Sequence, residues 1–171
     1  MKTESSSSLV YQNAVPNVGD TDTREPGIRR FVRVLKEEVI IRSPLDAAEY
    51  LQDRVFHPFS EFTQEELWVL LLNAKNRITH DTMVYRGVID QVPIQIAEIY
   101  NVPVRFNARY IIVSHCHPSG DPTPSPEDVA ANSAIQQAGR LLGIELLDHI
   151  IIGQGKWLSL KERGLGFDVR L

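Results

Sequence analysis

Apolar and polar positions follow two rhythms along this chain. Glu65 to Leu72 is a nearly unbroken apolar run, Ile78 to Ile89 alternates, and Ala74-Lys75-Asn76-Arg77 between them is polar. That pattern predicts strand, turn and strand, hence a hairpin. Tyr110 to Ser114 and Ile144 to Ile152 are short, continuously apolar stretches, as in strands covered on both faces. His115 begins directly after the first of these. Gly153-Gln154-Gly155-Lys156 predicts a tight turn into a last strand, Trp157 to Leu160, and then a turn around Arg163 and Gly164. Phe31 to Val39 mixes apolar and basic residues and predicts a strand with a turn.

The second rhythm is helical. Ser43 before Pro44, with Asp46 and then Ala47, Ala48, Tyr50, Leu51 and Val55, is a capped start followed by an apolar stripe. It predicts a helix over about 44–54. Ile94 to Phe106 has helical spacing at Ile96, Ile99, Tyr100 and Val104, and Pro103 should kink or shorten it. Ser125-Pro126-Glu127-Asp128 opens a helix that runs to about Leu142 and stops at Gly143, with Ala131, Ile135, Ala138 and Leu142 on one face. Strands alternating with helices imply an α/β layered domain around a central sheet. Residues 1–27 carry Ser5 to Ser8, Pro16, Gly19 and Pro26 with little apolar pattern, and are expected to form a flexible tail before a domain over 28–171.

Composition narrows the function classes. The formal net charge is −4 and the pI about 5.7, without the basic footprint of a nucleic-acid binder. Arg29, Arg30, Arg33 and Lys36 are the one candidate basic patch. A single cysteine, Cys116, excludes a disulfide framework within one chain. The amino-terminal residues lack the apolar core of a secretory signal, and no apolar stretch is long enough to span a bilayer. A cytoplasmic location and no membrane contact are expected. There is no GxxxxGK[ST] or GxGxxG loop to cradle phosphates.

The candidate chemistry lies at His115-Cys116-His117-Pro118 and at Ser125 and Asp128. In extended chain, His115 and His117 project to the same side, and Pro118 biases His117 toward that conformation. Asp128, in the first turn of the next helix, supplies a third donor. Two imidazoles, one carboxylate and an open position describe a catalytic zinc site. Such an ion makes a nucleophilic water available near neutral pH, and a nearby acid then shuttles the proton. Glu65, Glu66 and Glu98 are candidates for that acid, and Ser125 and Ser119 for an oxyanion donor. Taken in isolation, Ser125 and Asp128 also read as an ordinary helix cap. Cys116 should face away from the ion as a small buried residue, which disfavours a Cys/His nucleophile. His57 and His80 are poorer candidates, and His149 reads as a hydrogen-bonded core or supporting histidine rather than a ligand.

At these residues the chain resembles the JAB/JAMM (MPN+) zinc metalloprotease superfamily, whose pattern is an upstream Glu, then His-x-His-Pro, Ser and Asp. It is most similar to the RadC-like branch, which reads H-N-H-P-S-G-D-P-x-P-S-x-x-D where this sequence has His115 to Asp128. The similarity extends through Gly139 to Ile144, Leu146 to Gly153 and Ser159 to Gly164, and covers Asn76-Arg77 and Tyr85-Arg86-Gly87. It implies a JAB/MPN-like (cytidine-deaminase-like) layered fold, a central mixed β-sheet flanked by helices. It further implies Zn²⁺ on His115, His117 and Asp128, with Ser125 steadying the oxyanion. Alignment puts the upstream acid at Glu65, with Glu66 one register slip away and Glu98 matching another acid of the branch. The expected activity is metallopeptidase or isopeptidase cleavage of an unidentified peptide or protein. The alternative is a catalytically silent metal-bearing interaction module linked to DNA repair or mobile elements; a metal-dependent nuclease ranks last. The sequence departs from the branch at Cys116 (usually Asn), Asn73 (usually Asp) and Gln95-Ile96-Ala97 (a His-Pro-Arg-like stretch). No counterpart of the helix-hairpin-helix region of longer relatives is present, so direct nucleic-acid binding is not expected.

Overall fold

The computed structural model describes residues 32–87 and 95–168. The expected tail over 1–27, Phe31, and residues 88, 89 and 94 lie outside them. β2 (Glu65–Leu72) and β3 (Ile78–Gly87) form the expected hairpin, and β4 (Tyr110–Cys116), β5 (Glu145–Gly153) and β6 (Lys156–Ser159) complete the run. With β1 (Val32–Val34) they make one six-stranded sheet in the order β1-β3-β2-β4-β5-β6. Only β4 and β5 pair in parallel, so the sheet is mixed. The parallel pair needs a crossover, and α3 (Pro126–Leu142) provides it.

β2 sits in the middle and is covered on both faces. Trp68, Leu70 and Leu72 join a core with Ala47, Ala48 and Leu51 of α1 (Pro44–Tyr50) and its π-helical continuation Leu51–Val55. Leu67, Val69 and Leu71 face the other way, onto α2 (Ile96–Arg105) and α3. The period of two in one strand thus divides the molecule into three layers, α1, sheet, and α2 with α3.

Several boundaries differ from expectation. The first strand covers only Val32–Val34; beyond it the charged Lys36, Glu37 and Glu38 face solvent, and only an isolated bridge joins Ile40 to Arg77. Pro103 is buried inside α2, which ends two residues later at Arg105. β4 does not stop at Ser114 but carries His115 and Cys116 within its ladder. The buried face of α3 is Asp128, Asn132, Ile135 and Gly139 rather than an alanine and leucine stripe; Leu142 is exposed and Ala131 and Ala138 only half-buried. Close packing explains this, since a Cβ on Gly139 would collide with the Ile144 carbonyl oxygen and lie 2.5 Å from the Tyr100 hydroxyl. Among the described residues no helix is long and apolar enough to cross a membrane.

Candidate metal centre

Strand alternation sorts the motif. Cys116 points into the α1-side core, whereas His115 pairs across the ladder with Leu67 and shares its face. His117 lies one step past β4, yet its N–H still donates to the Ile152 carbonyl at 2.9 Å, so the chain stays extended and both imidazoles project together. Asp128 arrives from the first turn of α3. Ser125 caps that helix: its Oγ accepts from the Asp128 N–H at 3.1 Å, and its own N–H and O–H both donate to Asp128 Oδ2 at 2.8 Å. The cap and the donor are therefore one device, which leaves Oδ1 aimed at His115.

The three donors converge. His115 Nε2 is 3.0 Å from His117 Nε2 and 3.2 Å from Asp128 Oδ1, and His117 Nε2 is 3.7 Å from Asp128 Oδ2. Four ligands placed tetrahedrally at zinc's usual N and O distances lie about 3.3 Å apart. The His115–His117 and His115–Asp128 Oδ1 separations lie near that edge, and one donor atom from each of His115, His117 and Asp128 lies within 4.8 Å of the others, so the three form a group able to hold a metal ion. The tautomer of His117 is set as well. Its Nδ1 lies 2.8 Å from the Asp121 carbonyl oxygen, which can only accept, so in the neutral ring the Nε2 lone pair faces the group. Burial alone would raise the Asp128 pKa, but bonds to His115 and His117 outweigh it and hold the carboxyl well below the usual range. Burial works against a proton on His117, but the bonds to Asp128 and the Asp121 carbonyl outweigh it, the Glu65 charge adds, and its pKa is raised.

The candidate acids separate by face. Glu65 opens β2 on the side of Leu67 and His115, and continuing the antiparallel register places it opposite His117. Glu66 points to the other face, where it accepts from Trp68 Nε1–H at 2.8 Å and from Arg86 at 2.7 Å. Glu98, in the first turn of α2, is not among the convergent donors, nor is Glu65 itself. Ser119 Oγ accepts from the Asp121 N–H and stays outside the group. His149 lies outside the convergent group but touches it: its Nε2 is 2.8 Å from His115 Nδ1. The Asp121 carbonyl was missed in the sequence because backbone acceptors leave no side-chain signature. Asn73 serves its turn as an Asp would, since its Oδ1 accepts from the N–H groups of Lys75 and Arg77.

The profile of the RadC-like JAB domain family matches residues 41–165. The chain belongs to this family. It is 48% identical over 143 residues to a UPF0758 protein of Roseiflexus sp. (strain RS-1), covering 84% of this chain and 60% of the relative. A UPF0758 protein of Chloroflexus aurantiacus is 45% identical over 141 residues, covering 82% of this chain and 60% of the relative. One from Staphylococcus aureus is 40% identical over 140 residues, with 82% and 62% covered. The chain thus spans about three-fifths of the length of the curated relatives it matches. The match includes every residue of the metal-capable group, Glu65 and His149, so in this RadC-like JAB domain the site lies inside the shared region.

Proposed function

We propose that this RadC-like JAB domain is a zinc-dependent hydrolase that cleaves a peptide or isopeptide-like amide bond, with His115, His117 and Asp128 holding the ion. The observation that carries this reading is the convergence of two imidazole nitrogens and a carboxylate oxygen within 4.8 Å of one another, with the His117 tautomer already set. When bound, zinc supplies Lewis acidity and a water that ionises near neutral pH. The remaining work falls to the chain. Glu65 takes the proton from the attacking water on its carboxylate and delivers it to the leaving amine nitrogen. Ser125 turns its O–H toward the developing oxyanion. Asp128 stays held meanwhile, because the Ser125 N–H still donates to Oδ2.

The substrate class is a peptide or protein, and direct nucleic-acid contact is not part of the reading. A reducing, cytoplasmic setting fits the lone buried thiol of Cys116. Peptide-library cleavage by the zinc-loaded protein tests the activity. Glu65→Gln should keep stoichiometric zinc and lose about 100-fold or more in turnover, the size of a general-base contribution. Undiminished turnover refutes the Glu65 assignment. Bound zinc without cleavage of any amide by the wild-type chain would favour the silent interaction module.

A further inference from the structure

His149 is buried on β5 beside His115, and nothing in the proposed reaction uses it. It pairs in register with Val113 and so shares the face of β4 that carries His115 and lies against α3. The two rings meet edge-on, with centroids 5.0 Å apart and His149 Nε2 2.8 Å from His115 Nδ1. Only one proton fits between those nitrogens, and its owner decides what His115 offers at its other end. If His149 Nε2 holds it, a neutral His115 carries its own proton on Nε2, the atom that faces His117 and Asp128. If His115 Nδ1 holds it, Nε2 presents a lone pair to the centre.

We propose that His149 is a positioning residue that accepts the His115 Nδ1 proton through Nε2, fixing His115 in the tautomer whose Nε2 ligates the metal. This rests on the metal-centre reading above. It differs from the arrangement at His117, where a backbone carbonyl plays the orienting part. Metal-ligating histidines commonly donate their second N–H to a carboxylate or a carbonyl. An imidazole in that place orients the ring without bringing a second negative charge beside Asp128, and so leaves the ion more of its electrophilicity. The choice moves the His149 proton to Nδ1, which has no protein partner among the described residues. Asn132 Oδ1 is the complementary unpartnered acceptor; Asn132 lies on the buried face of α3 one turn after Asp128, and α3 packs on β5. Its amide is already oriented, donating to the carbonyls of Leu165 and Gly166.

The test is zinc affinity of the full chain, measured by competition with a chromogenic chelator. His149→Leu, which cannot accept, should bind zinc about 10–100-fold more weakly. His149→Gln, whose Oε1 can accept, should recover most of that loss. Equal affinity in wild type and His149→Leu overturns the positioning role and leaves the metal centre standing. Failure of the wild-type chain to bind zinc overturns both. Should His149→Leu not fold, nitrogen NMR of zinc-loaded wild type with labelled histidine decides the matter. A proton on His115 Nδ1, coupled across to His149 Nε2, is the expected result; a proton on His149 Nε2 refutes the assignment.

Discussion

At the scale of single residues, the site depends on which way each side chain leaves a strand. Cys116 lies between two proposed ligands but faces the α1-side core, and burial, with the Glu66 and Glu65 charges adding, pushes its thiol up to about 12. Iodoacetamide at pH 8 should therefore leave the folded protein unlabelled and modify it once it is unfolded. Labelling of the native protein at the rate of a free thiol would contradict that burial. Ser125, at the cap of α3, is a second residue on which the site depends. Its Oγ accepts from the Asp128 N–H and donates to the Asp128 carboxylate. Ser125→Ala should cost about 1 kcal/mol of stability through the lost cap and weaken zinc binding, while Ser125→Thr restores both. Chemical denaturation and chelator competition read the two effects separately.

Between elements, the decisive contacts join β5 to the loop that carries His117. The Gln154 N–H donates to the Gly120 carbonyl, and the backbone of Gly120 approaches Gly153 so closely that a Cβ there would collide with the Gly120 oxygen. Gly153→Ala should displace that loop at a cost of about 1–3 kcal/mol and reduce zinc affinity; unchanged affinity would mean that the loop position is immaterial. Much of this organisation was legible in the sequence because period-two and period-3.6 patterns report which face is covered. The hairpin β2–β3, the two strands of the parallel pair and the Pro126 helix start all appear there. What was not legible depends on partners distant in the chain. The buried stripe of α3 includes Asp128 and Asn132 because of what they meet, namely two imidazoles and the turn at Leu165 and Gly166, and no local pattern encodes that. Likewise Glu65 and Glu66 become distinguishable only once register assigns one to His115's face and the other to Arg86 and Trp68.

Across the whole molecule, pH and metal act on stability through identifiable groups. The His80 ring packs on Phe106 at 4.2 Å, and burial lowers its pKa against the opposing charge of Asp81. A depressed histidine means that the unfolded chain takes up the proton first. Stability from His80 is therefore intact above about pH 6.5 and is lost as pH falls toward its folded-state value. The denaturation midpoint of metal-free protein should fall between pH 7 and pH 5, and less steeply in His80→Gln; an unchanged slope would exclude His80 as a contributor. Zinc bound at the proposed centre would act in the opposite direction. Its proposed ligands come from the end of β4, the residue after it and the start of α3, so a bound ion would tie the crossover helix to the sheet. A ligand that binds only the folded state at one hundred times its dissociation constant adds about 2.7 kcal/mol. In a domain of this size that raises Tm by roughly 5–11 °C. Wild type should show this increment in a calorimetric scan with and without zinc. His115→Ala and Asp128→Ala should lose it, whatever their metal-free Tm, because the measured quantity is the difference between two scans of the same variant. A full increment in either variant would mean that zinc binds elsewhere on the folded chain.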